Sequence, residues 1–329
     1  MQVDKEKEIG YYIIVMKDLL INKVKTLILR EGADIKNGCV LAVGSFDGVH
    51  IGHRAMLCEL KRESERLSLP AAVFTFDISD SPKANKPLLA LCEKKYSLLK
   101  ECGVDIVFSA PFCEVKDISA FDFATELIHK AFGARAVVCG YDFRFGAGRE
   151  GNAELLQNWL SAERISVITP NPVLHNGAPV SSTLIRTLIA NGEIKQANML
   201  LGRAFGFCGS VVQGNRLGRT LGFPTVNQLY PEKLQLARFG VYAVYCRFGG
   251  KRYSGVANIG VKPTVSYNSS PLCETHIFGF NGDIYGESIE IELAEFIRGE
   301  RRFSSLESLK AQVEQDKEAA LKLLKECVE

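Results

Sequence analysis

The stretch Cys39-Val40-Leu41-Ala42-Val43-Gly44-Ser45-Phe46-Asp47-Gly48-Val49-His50-Ile51-Gly52-His53 decides the fold. Its first five residues form an uninterrupted apolar run, the pattern of a strand buried on both faces. Gly44 to Gly52 then reads as a turn and His53 to Leu67 as an amphipathic helix, giving a strand-loop-helix unit. In a doubly wound sheet such a loop falls at the carboxyl end of its strand, where these folds hold ligands. His50 and His53 can face a triphosphate there, because Gly52 lets backbone and ligand approach closely. As charge grows on the equatorial oxygens of an attacked α-phosphorus, imidazole donors and a helix N-terminus stabilise it more than the ground state. Gly44, Phe46, Asp47, Gly48 and Gly52 are read as nucleotide-binding on the same ground. An isolated pair of histidines is more often merely solvated; the position after the first sheet strand favours nucleotidyl transfer.

Strand and helix patterns alternate onward from this unit. Ala71 to Phe76, Ile106 to Phe108, Ala136 to Cys139 and Ile165 to Ile168 read as strands. Lys94 to Cys102, Phe121 to Phe132 and Asn152 to Ala162 read as helices between them. The pattern predicts an α/β domain with a parallel doubly wound sheet. Two short helical runs follow, Leu184 to Asn191 and Ile194 to Leu201, broken at Gly192. Beyond Gly202 the texture changes to short β-rich runs, Val241 to Phe248, Tyr253 to Ile259, Glu274 to Gly279 and Ser288 to Leu293. This predicts a small antiparallel barrel, with a terminal helix over Ser305 to Val328 that Ser305 can cap. The expected division is a first domain over 1–188, a junction over 189–203 and a second domain over 204–329.

A chain of 329 residues exceeds the size at which one core stops growing, which agrees with two domains. Hydrophobic content of 47% and charged content of 24% exclude a disordered or collagen-like chain. A formal net charge of +2 argues against a nucleic-acid surface. The ten cysteines stand singly, without a C-x-x-C pair, so neither zinc nor a disulfide framework is indicated. Tyr11 to Met16 is too short for a signal-peptide core, and no run approaches membrane-spanning length. Cytoplasm is the expected compartment, without membrane or nucleic-acid partners.

Gly140-Tyr141-Asp142-Phe143-Arg144-Phe145-Gly146 also follows an apolar strand, so its aromatic and charged residues can line the same cleft; alone it would be a turn with core phenylalanines. Ser181-Ser182-Thr183-Leu184-Ile185-Arg186 offers hydroxyls and free N–H groups at a helix start, with Arg186 one turn later, an arrangement suited to a leaving pyrophosphate. Alone, it would be an ordinary capped helix.

The second half carries a separate phosphate signature. Gly209 to Gly222 is glycine-rich, and the bare amides around Gly214, Gly218, Arg219 and Gly222 could wrap phosphates. It abuts Gly222-Phe223-Pro224-Thr225-Val226-Asn227, where alternation brings Thr225 and Asn227 to one face with Val226 toward the core. A hydroxyl and an amide oxygen are hard ligands for a magnesium ion carrying ATP phosphates, which points to phosphoryl transfer. A base must address the accepting hydroxyl. Glu274 is one candidate, and Glu287, Glu290 and Glu292 are rivals that spacing does not separate.

Taken in order, H-I-G-H, G-Y-D-F-R-F-G, S-S-T-L-I-R, L-G-F-P-T-V-N, G-V-A-N-I-G-V-K-P-T and E-T-H-I resemble the prokaryotic bifunctional riboflavin kinase/FAD synthetase family, over about Asn37 to the C-terminus. The resemblance implies that the second half phosphorylates riboflavin with ATP to FMN, and that the first half adenylates FMN to FAD with release of pyrophosphate, both with Mg²⁺. It implies transition-state stabilisation by His50 and His53, and nucleotide phosphate contacts from Ser181, Ser182, Thr183 and Arg186. It also implies cleft lining by Asp142, with Phe143 toward the flavin. In the kinase it implies magnesium at Thr225 and Asn227, Glu274 as base, and Arg298 and Phe303 near the flavin. The chain departs from the family at Thr75-Phe76-Asp77-Ile78-Ser79-Asp80, where T-F-x-P-H-P is usual. That departure leaves open an alternative, a working kinase whose first half only binds flavin nucleotide. A cytidylyltransferase of the same H-x-G-H type is a third reading, which the second-half motifs disfavour.

Overall fold

The computed structural model describes residues 6–8, 11–15, 24–77, 86–213, 222–261 and 270–326. The chain forms two compact units. One comprises Met1–Lys86 and Ala90–Ser181, the other Pro87–Leu89 and Ser182–Glu329.

The first unit is built on one sheet. Its strands are β1 (Glu6–Glu8), β2 (Tyr11–Val15), β3 (Lys25–Ile28), β4 (Cys39–Val43), β5 (Ala71–Asp77), β6 (Ile106–Pro111), β7 (Ala134–Cys139) and β8 (Ser166–Ile168). They lie in the order β1-β2-β3-β6-β5-β4-β7-β8. The five strands from β4 onward pair in parallel, as expected. The first three add an antiparallel margin at β6. The sheet is therefore mixed, and part of the leading segment that carried no assignment is sheet.

β4 shows why the parallel region is stable. Cys39, Leu41 and Val43 pack into one core, Val40 and Ala42 into another on the opposite face. The second face is covered by α1 (Ile51–Leu67), through Leu57 and Leu60, and by α2 (Cys92–Glu101), through Tyr96, Leu98 and Leu99. The first face is covered by Phe123, Leu127 and Ile128, and by Leu156 and Leu160 of α3 (Ala153–Ser161). The helix expected over Phe121 to Phe132 begins as α at Ala120–Asp122 and continues with π winding over Phe123–Ala131, ending where the Phe132 amide donates to the Leu127 carbonyl. β4 has β5 on one side and β7 on the other, so the direction in which strands are added reverses between β4 and β7. Ligands bind at such a switch point, and the loops after β4 and β7 both lie on it.

The second unit opens with α4 (Ser182–Asn191) and α5 (Ile194–Leu201). Its sheet contains β9 (Phe205–Ser210), β10 (Val226–Leu229), β11 (Gly240–Phe248), β12 (Lys251–Gly260), β13 (Leu272–Ile277) and β14 (Ser288–Gly299), all antiparallel, in the order β9-β14-β11-β12-β13-β10. The seam between the outermost strands is closed by a bridge in which the Val212 amide donates to the Asn227 carbonyl at 2.8 Å. Gln228 Nε2 crosses the same seam to the carbonyls of Gly209 and Ile289. α5 is fastened to the sheet by Asn198, which donates to the Leu293 carbonyl and accepts from the Phe205 amide.

α6 (Leu306–Glu326) covers one face through Ala320 and Leu324 against Val241, Ala243 and Tyr245. The Ser305 hydroxyl accepts from the Ser308 amide at 3.2 Å, the expected cap. Arg298 on β14 clamps α6 with a bidentate pair to the buried Asp316, at 2.8 and 2.7 Å. Breaking one side of such a pair leaves an uncompensated buried charge, so Asp316→Asn is expected to destabilise the second unit by about 3 kcal/mol, read as a lowered denaturant midpoint.

Candidate functional site

In the first unit the loop after β4 is held in a conformation that ordinary residues avoid. Phe46 has φ 48°, Gly48 φ 78° and Val49 φ 42°. A β-branched residue with positive φ costs of the order of 1–3 kcal/mol and persists only where its surroundings over-determine it. Here Phe46 and Val49 are fully buried, so packing supplies that constraint. The Gly44 amide donates to the Phe74 carbonyl, and the Thr75 hydroxyl donates to the Ser45 carbonyl at 2.9 Å, zipping the loop to β5. Asp47 is buried with it.

His50 is the N-cap of α1, and its Nδ1 accepts from the His53 amide at 3.3 Å. That bond places the proton of a neutral His50 on Nε2. The two imidazoles stack with centroids 3.7 Å apart and planes at 17°. Burial first, then the neighbouring His50 and Lys95, holds His53 well below the usual histidine range. It is therefore neutral at pH 7, and its enclosed Nδ1 has no hydrogen-bond partner among the described residues. A Cβ on Gly52 would stand 3.2 Å from the His50 ring, so glycine there keeps the imidazole in place.

The loop after β7 approaches the same helix: a Cβ on Gly140 would lie 3.2 Å from Asp142 Oδ1 and 3.8 Å from Met56 Sδ. Asp142 is exposed. Phe143 is half-buried and stacks on Phe145 against the core. The S-S-T-L-I-R run straddles the unit boundary, with Ser181 in the first unit and Ser182, Thr183 and Arg186 in α4 of the second. Arg186 Nε donates to the Pro87 carbonyl at 2.7 Å. Lys95, which sequence reading passed over, is buried and donates to the Phe76 carbonyl at 3.0 Å and to Thr75 Oγ1 at 3.3 Å. Helical spacing gave a signal, since Lys95 shares the apolar stripe of Leu98 and Leu99.

In the second unit the strand register builds the site. Asn227 lies directly opposite Glu274, and Glu274 directly opposite Asn258 on the other side. Paired residues share a face, with Cβ atoms about 5 Å apart. The row continues through Val241 to Arg298, three strand spacings from Glu274, roughly 14 Å. Asn227 is buried, and its Oδ1 has no partner among the described residues. The Pro224 carbonyl accepts from His276 Nδ1 at 2.8 Å, tying the Pro-Thr turn to β13. Thr225 is exposed and borders a cavity of about 420 Å³ with Pro224, Val226, Thr275, Ile277 and the turn 280–285. Val226 thus lines this cavity instead of entering the core.

Among the rival carboxylates, Glu292 is occupied by Arg247 and Arg252 at 2.7 and 3.1 Å. Glu290 pairs across from Cys208 and Arg247, and only Glu274 stands beside Asn227. Arg298 keeps its Asp316 pair and lies 5.8 Å from the half-buried Phe303 ring. Gly222 is exposed with φ 84°, whereas Gly214, Gly218 and Arg219, like Ile78 to Asp80, lie outside the described residues. Among the described residues no cluster of His, Cys, Asp or Glu is arranged to hold a metal, and no helix is long and apolar enough to cross a membrane.

Comparison with known proteins matches a different family model to each half of the chain. A family model for FAD synthetase matches residues 32–184, and one for riboflavin kinase matches 201–324. The bifunctional riboflavin kinase/FMN adenylyltransferase of Escherichia coli K12 is 40% identical over 289 residues, 85% of this chain and 91% of the relative. The protein of that name from Bacillus subtilis is 33% identical over 315 residues, 93% of this chain and 98% of the relative. A solved structure named as a macrolide-efflux protein from Streptococcus pneumoniae superposes with a TM-score of 0.78 at 31% identity, covering 86% of this chain and 94% of that one.

Proposed function

The chain belongs to the bifunctional riboflavin kinase/FMN adenylyltransferase family, and from that premise we propose which residues carry each of its two reactions. It phosphorylates riboflavin with ATP to FMN, then transfers the adenylyl group of a second ATP to FMN, giving FAD and pyrophosphate. We assign the adenylyltransferase to 1–188, a junction to 189–203 and the kinase to 204–329. The family segments 32–184 and 201–324 support that division, although α4 and α5 pack with the second unit.

In adenylyl transfer an FMN phosphate oxygen attacks the α-phosphorus of ATP, and the bond to the β-phosphate oxygen breaks. His50 Nε2–H, the neutral His53 and the N-terminus of α1 stabilise charge on the equatorial oxygens. Gly44, Phe46, Asp47, Gly48, Gly52 and Asp142 shape the nucleotide pocket, and Phe143 lies toward the flavin. Ser181, Ser182, Thr183 and Arg186 address the departing pyrophosphate. The stacked pair at the switch point, His50 buried and His53 half-buried, is the observation that carries this reading.

In the kinase Glu274 accepts the proton of the terminal ribityl hydroxyl while its oxygen attacks the γ-phosphorus and ADP leaves. The exposed hydroxyl of Thr225 and the buried Oδ1 of Asn227, which has no partner among the described residues, fit Mg²⁺, which takes hard oxygen ligands. Bound there, the ion would neutralise phosphate charge. The amides around Gly214, Gly218, Arg219 and Gly222 cover the phosphates, and Arg298, on the register row of Glu274, borders the flavin together with Phe303 beside it. Cytoplasm is the proposed location, with ATP, riboflavin and FMN as partners. Chromatography of flavins after incubation with ATP tests the assignment. With Mg²⁺ both FMN and FAD are expected, and with EDTA neither. FMN accumulating without FAD would favour a first half that only binds flavin nucleotide.

A further inference from the structure

We propose that Lys95 is a positioning residue for adenylyl transfer, holding the end of β5 and, through Thr75, the Ser45 carbonyl of the phosphate loop in the arrangement that presents His53. The inference rests on the reading of His50 and His53 as the adenylyl-transfer site.

A lysine on the buried stripe of α2 is costly, because an ammonium taken out of water loses several kcal/mol of hydration. An apolar residue would fill the stripe without that cost. What the lysine adds is a set of donors directed at one place, the carboxyl end of β5. Lys95 Nζ meets the Phe76 carbonyl at 3.0 Å and Thr75 Oγ1 at 3.3 Å. An ammonium can only donate, so the Thr75 hydroxyl must accept from it and spend its own proton on the Ser45 carbonyl, 2.9 Å away. The direction of the chain Lys95 to Thr75 to Ser45 is thereby fixed, and each bond polarises the next.

Ser45 immediately precedes Phe46, the first residue of the strained loop. Strain of that kind relaxes unless the flanking backbone is tied down, and the Thr75 bond is one of the ties. Without Lys95 the Thr75 hydroxyl is free to turn away from Ser45. Loss of the tie moves His50 and His53 relative to the α-phosphorus, and displacement on the 1 Å scale costs roughly 100-fold in rate. Lys95 also lies close enough to His53 to disfavour its protonation, so the same ammonium supports the neutral imidazole.

The test uses the full chain, supplied with FMN and ATP, with FMN formation from riboflavin as a measure of active chain concentration and the thermal unfolding profile against wild type as the measure of folding. Lys95→Met is expected to lower kcat for FAD formation roughly 10- to 100-fold, with KM for ATP little changed and kinase activity retained. Thr75→Val, which removes the relay hydroxyl, is expected to move kcat in the same direction, and Thr75→Ser, which keeps it, to restore wild-type turnover. The proposal is overturned if Lys95→Met turns over FMN at the wild-type kcat, if its loss lies wholly in KM, or if Thr75→Ser is as impaired as Thr75→Val. Should Lys95→Met lose both activities through misfolding, the Thr75 pair decides. A wild-type chain that makes no FAD removes the site reading along with the inference; an active wild type with unimpaired variants removes the inference alone.

Discussion

His53→Ala is expected to abolish detectable FAD formation from supplied FMN while leaving FMN formation from riboflavin intact. Two losses combine. The imidazole is a donor to charge that develops at the α-phosphorus, and deleting one such donor lowers kcat roughly 10²- to 10³-fold. Its ring also stacks on His50 at 3.7 Å, so truncation leaves His50 without the neighbour that sets its plane. The ring contacts of His53, with Phe46 and with His50, both lie within the first unit. Flavin chromatography with each substrate in turn separates the outcomes. A parallel loss of kinase activity would show that the reactions share machinery, contrary to the division proposed above.

The complementary variant, Glu274→Gln, keeps side-chain size and strand pairing but removes the base. FMN formation is expected to fall roughly 10²- to 10⁴-fold, the range for a positioned general base, while FMN supplied from outside is still converted to FAD. Because Glu274 is only half-buried on β13, the amide should be accommodated without unfolding. If Glu274→Gln keeps wild-type kinase turnover, the base is one of the other carboxylates. Glu292 is then the poorest choice, its oxygens being held by Arg247 and Arg252.

The parallel half of the first sheet was legible because strands buried on both faces are continuous apolar runs, and Cys39–Val43 is one. The histidine loop was legible for the same reason, since an apolar strand followed by Gly and a helical run fixes which sheet edge the loop occupies. The antiparallel margin was not: Glu6–Glu8, Tyr11–Val15 and Lys25–Ile28 are short, and they join the sheet only through the pairing of Lys25–Ile28 with β6, far along the chain. In the second unit, alternation put Thr225 and Asn227 on one segment, but the alignment of Asn227 with Glu274 and Asn258 is long-range register that no local pattern encodes. Lys95 was passed over because its acceptors, Phe76 and Thr75, are some twenty residues away.

The outermost strand of the first sheet, β1, reads Glu-Lys-Glu, and the strand at the opposite margin, β8, is likewise only three residues long. Exposed backbone along a sheet's rim invites recruitment of foreign strands, and natural proteins discourage this with brief, charged terminal segments. β1 and β2 thus shield β3, whose Lys25–Ile28 edge would otherwise be open to self-association. Trimming the chain ahead of Lys25 would expose a template for aggregation while touching neither catalytic centre.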